Sequence, residues 1–405
     1  MADIGADNPS GHIKPKEPFD FFNDERVRSV FYQVLTACIV GWSAWYLITN
    51  TAHNLEVRGM NSGFGFLTSA AGFGTDFKLI EYVPGIGTYG RIFLVGCLNT
   101  LLVSALAIIG TTILGFIVGV LRLSNNWLVA RLALAYVEII RNTPLLMQLI
   151  FWYFSVFSLL PRVKNSLDIS GGAKVMFVNN RGLYTTWPVP GDLFWLTLVA
   201  FAIALLGVFA LRRWAHKRQD ETGQLFPTTL VSIALVVFLP GIVYLSTGSP
   251  LGWDVPTLQG FNFAGGANLP PSFLALLIAL VIYHAAHLAE SVRAGILSVH
   301  KGQTEAALAL GLRPHRVMVL VIIPQAMRAI VPPLISLWMN VVKNSSLAVA
   351  IGYPDLVGLF MQTSLNQAGY AVEIVGMTMA FYMVISLTIS GLLNIYNRRV
   401  QLAER

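Results

Sequence analysis

Charged residues are scarce in this sequence: Asp, Glu, Lys and Arg make up 12% of the 405 residues, half the ~25% of an average soluble domain. So few charges cannot coat the water-facing surfaces of the two or three soluble domains that such a length would otherwise form. Cysteine is almost missing. Cys38 and Cys97 lie in or beside apolar runs, with no pairing or metal-ligand spacing around them, and read as small packing residues. No Gly-Lys pair occurs, which excludes the G-x-x-x-x-G-K-[ST] loop that cradles nucleotide phosphates. The H-E-x-x-H, G-x-S-x-G and paired-Asp signatures of an intramembrane enzyme are absent too.

What the chain has in quantity is apolar sequence, 55% of its residues. Runs long enough to cross a ~30 Å hydrocarbon core fall near 29–49, 93–121, 142–160, 193–211, 228–247, 272–292, 317–345 and 374–397, which predicts an all-α integral membrane protein of about eight transmembrane helices. The third run has a proline near its start, and the seventh contains Pro324, Pro332 and Pro333. The polar stretch 1–28 precedes the first run, which lacks a small-residue cleavage site and is expected to remain as an anchor.

The formal net charge of +7 comes with no dense basic window interleaved with aromatics, so nucleic acid is not an expected partner; the lipid bilayer is. Counted over alternate connections, Lys and Arg number seventeen on the side of the termini and seven on the other. The positive-inside rule therefore places both termini in the cytoplasm. The long outer connections 50–92 and 161–192 are rich in Gly, Asn, Ser and aromatics and show no strand pattern that would make them a domain, leaving surface loop and docking surface both open.

Between the sixth and seventh runs, 293–316 carries an alanine-rich patch on the water side of the membrane. Residues 303–310 are predicted to form a short helix, with Gly302 before it, Gly311 closing it in left-handed geometry and Pro314 opening the next helix. Ala306, Ala307 and Ala309 allow close approach of a partner, Leu308 and Leu310 offer apolar area, and Glu305 and Arg313 stand at the rim. An interfacial helix resting on headgroups fits the same pattern.

With those residues in place the text is recognisable. GQTEAALALGL followed by IIPQAMRAIVPPL resembles the EAA loop of permease subunits of bacterial ABC importers, and RNTPLLMQLIFWYF (141–154), AAHLAESVRAGILSVHKGQ (285–303) and VVKNSSLAVAIG (341–352) resemble its polar amino-acid branch. The similarity is to the long permeases of general L-amino-acid and glutamate/glutamine/aspartate/asparagine uptake. It implies a type I ABC importer permease core at 93–160 and 272–397 within the transmembrane domain 29–405, and an inserted region 161–271 that adds two spans.

It also implies partners and a place of work: a second homologous permease, two ATP-binding-cassette ATPase subunits, a periplasmic amino-acid-binding protein and an L-amino-acid substrate, at the bacterial inner membrane. This chain would bind no cofactor, with ATP and Mg used by the ATPase. Gly302, Thr304, Glu305, Ala306, Ala307, Leu308, Leu310, Gly311, Arg313 and Pro314 would be the ATPase-coupling residues. Asn142 and His287 stand where glycine and tyrosine are common in short amino-acid permeases.

The local chemistry leaves the substrate contacts with alternatives. Pro144 disfavours helix at Thr143, so a helix restarts here, and free N–H groups at Thr143, Leu145 and Leu146 could seat an α-carboxylate; a cytoplasmic elbow capped by Asn142 or Thr143 is the other reading. Gln148 is a weaker candidate of the same kind. Glu290 is costly inside a span and either contacts an amino group or pairs with Arg293 or Arg141. His284, His287 and Glu290 share a helical face as a polar stripe rather than a metal site. Lys343, Asn344, Ser345 and Ser346 either line an outer gate or snorkel at a helix end. A secondary transporter is the alternative function; it calls for two related halves with matching broken helices, and no such internal symmetry is visible.

Overall fold

The computed structural model describes residues 25–57 and 63–400. Most of the segment 1–28, and Lys14, Lys16, Arg58 and Arg405 of the charge count, lie outside the described residues. The chain forms two compact units, one of Met1–Phe64 with Ala368–Glu373 and one of Gly65–Gln367 with Ile374–Arg405. In the first, helix α1 (Glu25–Val57) carries the first apolar run, and the Gly63 N–H donates to the Glu373 carboxylate.

The second unit, from Gly65, holds all but the first residue of a 3-10 turn at Phe64–Thr68 and then α2 (Tyr89–Leu121), whose first turn is capped by the Thr88 hydroxyl accepting from Arg91 N. Helix α3 (Trp127–Arg141) starts at Asn126, whose Oδ1 accepts from Leu128 N and Val129 N. This helix occupies a stretch that sequence reading leaves as a connection. After a break at 142–144 comes α4 (Leu145–Ile150), continued as a π-helix over Phe151–Phe157. Among the described residues seven helices are long and apolar enough to cross a membrane, and the remaining expected span is this short apolar piece. Pro144 sets its start, and six residues of α-helix with seven of π-helix reach only ~20 Å.

The stretch 161–271 carries eight short β-strands around a helical hairpin, against the expectation of loops without a strand pattern. β1 (Leu167–Asp168), β2 (Met176–Asn179) and β3 (Gly182–Thr185) form an antiparallel meander, and β4 (Trp187–Pro190) follows. Then the hairpin α5 (Phe194–Thr222) and α6 (Thr228–Ser246) intervenes before β5 (Leu251–Asp254), β6 (Thr257–Gln259), β7 (Asn262–Ala264) and β8 (Ala267–Leu269). β3 pairs with β8, Leu183 opposite Leu269, and β4 with β5, Pro188 opposite Trp253. Each strand has two to four residues, and the pairs β3–β8 and β4–β5 form across the helical hairpin, so no window holds a readable alternation.

The most buried span is α7 (Pro271–Leu297). It is followed by α8 (Lys301–Ala309), α9 (Pro314–Val317), a π-turn at Met318–Ile322, and α10 (Ile323–Asn344), which runs into a 3-10 segment to Ile351. The prolines do not break this run: the π-turn precedes Pro324 in the first turn of α10, and Pro332 and Pro333 sit inside the helix. A π-helix at Val357–Ser364, α11 (Leu365–Ala368) and α12 (Ala371–Val400) complete the chain.

The core lies where α7 meets α2, α4 and α10, with Leu145, Leu149, Phe273, Leu276, Leu280, Ile330, Leu334 and Val341 buried together. Apolar burial alone does not join helices in lipid, so close packing must. α2 supplies it through glycine. A Cβ at Gly110 would sit 2.7 Å from Val281, at Gly115 2.7 Å from Leu288 Cβ, and at Gly119 2.7 Å from Val292 Cβ and 2.9 Å from the Ala289 carbonyl oxygen.

Gly115→Leu or Gly119→Leu should therefore destabilise the fold by about 1–3 kcal/mol through overpacking, read as a lower thermal midpoint in detergent. Gly241→Leu in α6, where nothing lies within 4 Å, should leave the midpoint unchanged. Equal midpoints for all three variants would contradict this packing.

Candidate functional site

Helix α8 begins two residues earlier than the alanine pattern suggests because His300 caps it: the ring Nδ1 accepts from Gly302 N at 3.1 Å, leaving Gly302 within the first turn. Its end follows the expectation. Gly311 has φ +79°, its N–H donates to Leu308 O at 2.9 Å, and Leu312 N donates to Ala307 O at 3.2 Å. Pro314 occupies the first turn of α9. Ala307 faces inward and is buried, as is Val317 of α9, so it is unavailable for close approach by a partner. Glu305, Ala306, Leu308, Ala309, Leu310, Gly311, Arg313 and Pro314 are exposed, Leu310 at 83%, and Thr304 is half-buried. Gln303 accepts from Gln325 Nε2 at 3.3 Å, tying α8 to α10.

At the helix break, the elbow reading describes the local bonds. Asn142 Nδ2 donates to Glu138 O and Thr143 Oγ1 to Ile139 O, each at 2.8 Å, so both side chains close α3 rather than open α4. Thr143 N donates to Ile140 O and is not free, which corrects one of the three N–H groups expected to seat a carboxylate. Pro144 precedes α4 with no side-chain cap, and Leu145 is buried in the core. Gln148 is buried; its Nε2 bridges the break by donating to Ile140 O and Thr143 O, both at 3.0 Å.

The polar stripe of α7 divides. Glu290 turns toward arginines from three places: it pairs closely with Arg122 at the end of α2, with Arg293 one turn along at 3.3 Å and with Arg141 at the end of α3 at 4.0 Å. Arg122 is the partner that sequence spacing did not indicate, and its side chain is only 8% exposed. His284 and His287 instead face α10 across a cavity of about 250 Å³, with Tyr283, Ser336, Asn340 and Asn344 in its wall. His284 contacts Leu280 O through Nδ1 (2.9 Å) and Asn344 Nδ2 through Nε2 (3.1 Å). His287 Nε2 is buried and has no protein partner among the described residues. Lys343 is exposed, and Ser345 is buried with its hydroxyl donating to Val342 O at 2.7 Å.

A further buried group escaped the sequence reading. Asp355 lies in a charge-poor connection beyond α10, fully buried, with Oδ1 accepting from Gly358 N at 2.8 Å and Oδ2 3.5 Å from the Tyr382 hydroxyl. Burial pushes its carboxyl up to about 7. The same connection is held to α2 by Asn99 Nδ2 donating to Pro354 O, by the Tyr353 hydroxyl donating to Asn99 O and by Leu356 N donating to Thr100 Oγ1.

Residues 203–402 match the family described as binding-protein-dependent transport system inner membrane component. The permease protein YhdX of Escherichia coli (strain K12) is 48% identical over 385 residues, covering 95% of this chain and 97% of that protein. The general L-amino acid transport system permease protein AapQ of Rhizobium johnstonii is 45% identical over 382 residues, covering 94% of each. The glutamate/glutamine/aspartate/asparagine transport system permease protein BztB of Rhodobacter capsulatus is 42% identical over 412 residues, covering 94% of this chain and 96% of that one.

Two tests address the buried charges. Glu290→Gln strands the Arg122 guanidinium and should cost about 2–3 kcal/mol, toward the low end for a broken buried pair because Glu290 keeps 32% exposure; an unchanged thermal midpoint would show that the arginines do not depend on it. Asp355 holds a proton in the folded chain at pH values where the unfolded chain has lost it. Its contribution is thus complete below about pH 4 and lost as pH rises through about 7. Stability of the wild type minus that of Asp355→Asn should fall across this window, and a flat difference would contradict the assignment.

Proposed function

The chain belongs to the inner membrane components of binding-protein-dependent transport systems, the permease subunits of ABC transporters, and from that premise we propose that it works in an ATP-driven importer of L-amino acids. The similarity to AapQ and BztB along nearly the whole chain supports this substrate class. The proposed assembly pairs this subunit with a second, homologous permease, with two ATPase subunits that use ATP and Mg, and with a periplasmic amino-acid-binding protein. This chain binds no cofactor in that scheme and hydrolyses nothing. Its termini face the cytoplasm of a bacterium, with the chain in the inner membrane.

The observation that carries the mechanism is α8, a capped helix outside the spans with Leu308 and Leu310 exposed and Gly311 and Pro314 fixing its joint to α9. Apolar side chains on a rigid helix at the water side fit a groove in an ATPase subunit. Closure of the ATPase pair then pushes α8 as a lever, and the run from Pro314 to Ile351 carries the displacement into the membrane. Glu305 and Arg313 are the polar anchors at its edge, with Gly302, Thr304, Ala306 and Ala307 shaping the helix.

The moving run lines the cavity at His287. An amino acid passing there meets hydrogen-bonding groups in the wall: His287 Nε2, Asn340 and Asn344. The break at Asn142, Thr143, Pro144 and Leu145, bridged by Gln148, lies beside this path and keeps the N–H groups of Leu145 and Leu146 as the seat for an α-carboxylate. Glu290 and Arg293 hold the helices at the pathway's inner end, and Lys343, Asn344 and Ser345 belong to its outer part.

In proteoliposomes containing all subunits, Gly311→Pro or Glu305→Lys should lower uptake and substrate-stimulated ATP hydrolysis at least about tenfold, the scale of one lost interfacial anchor, while the permease stays inserted and monodisperse. Normal transport-coupled hydrolysis by these variants would refute the coupling role.

A further inference from the structure

The added hairpin α5–α6 has no part in the pathway just described, and its two helices pack principally against each other. Gly207 brings them close: a Cβ there would sit 2.8 Å from Leu235 Cδ2. The outward faces, with Leu206, Phe209, Val237 and Phe238 exposed, are dressed for lipid. Charge appears only at one end. The 18 residues Phe194–Leu211 carry none, and at 1.5 Å per residue they span ~27 Å, close to the thickness of the hydrocarbon core. Arg212 and Arg213 come next, at the level where lipid phosphates lie.

The surroundings of these two arginines differ from those of the basic residues beyond them. Lys217 pairs with Glu221 at 3.7 Å, and Arg218 lies over the Trp214 ring at 5.3 Å while donating to Gln224 at 3.1 Å. Arg212 and Arg213 are exposed and make no ion pair or hydrogen bond among the described residues. Beside them, Trp214 stacks edge-on with Phe226 at 5.3 Å, and Leu225 is 82% exposed. Aromatic rings with a polar edge and an exposed leucine settle at the boundary between acyl chains and headgroups. Two unpaired guanidiniums at that same boundary each present a fork of N–H donors that matches a phosphodiester.

We infer that the charged end of the α5–α6 hairpin binds the headgroup of an anionic phospholipid, with Arg212 and Arg213 of α5 holding the phosphate and Trp214, Leu225 and Phe226 seating that end against the acyl chains. A zwitterionic lipid offers the same phosphate but cancels its charge with an ammonium group, so selectivity for net-negative lipid follows. The site is independent of the substrate and of the ATPase, and it gives the inserted hairpin an anchoring task.

The test uses the full chain in nanodiscs of phosphatidylcholine doped with phosphatidylglycerol, with retained lipid counted by native mass spectrometry after detergent release. Wild type should retain phosphatidylglycerol over phosphatidylcholine. Arg212→Gln/Arg213→Gln should reduce that retention at least about tenfold, at roughly severalfold per cationic side chain near the surface. Arg212→Lys/Arg213→Lys should keep most of it, and Arg181→Gln, in the β region, should retain as wild type does. Matching elution profiles verify that the variants fold. Equal retention by wild type and the double Gln variant, the same loss in Arg181→Gln, or no preference for phosphatidylglycerol would overturn the inference. So would displacement of the lipid by inorganic phosphate at matched ionic strength, which would assign the site to a free anion.

Discussion

The close approach of α2 and α7 is the constraint on which the structure depends. In lipid, apolar surface gains nothing by turning from an acyl chain to a neighbouring helix, so association rests on contact and on hydrogen bonds. Gly110, Gly115 and Gly119 allow α2 to lie directly against Val281, Leu288 and Val292 of α7. Both ends of the pair inherit their geometry from that seam. At one end it delivers Arg122 to Glu290; at the other it sets Asn99 and Thr100 where they can bind the connection at 353–356.

From α7 outward the chain builds a mechanical sequence. α7 ends in Ser298, α8 is capped by His300, and the joint at Gly311–Pro314 leads into a helical run that continues to Ile351. This run carries Pro333, Asn340 and Asn344 past His284 and His287. A push on α8 in the proposed mechanism therefore reaches the cavity wall through packed helix rather than through a loop. The π-turn at Met318–Ile322 is the place in that run where hydrogen-bond register is looser and a small rotation costs least.

Local rules made parts of this legible in advance. Gly311 and Pro314 announce the end of one short helix and the start of another, because left-handed closure and a missing N–H are properties of single residues. The apolar runs announce the spans because length alone decides them. Where partners lie far apart in the chain, reading fails: Glu290 was seen to need a cation, but Arg122 stands 168 residues away. β3 and β8 are separated by a helical hairpin and are too short to show alternation. Asn142 and Thr143 were recognised as capping residues, yet which helix they cap depends on the path of the backbone. Nothing in the local sequence marks Asp355, because its burial against α2 and α12 is a property of the fold and not of the residues beside it.

Site-specific photocross-linking reads whether an ATPase subunit holds α8. With a photoreactive residue at Leu310, in membranes containing the assembled transporter, a gripped helix gives adducts with a nucleotide-binding subunit whose yield changes when ATP is bound. Adducts with phospholipid alone, unchanged by nucleotide, would contradict it.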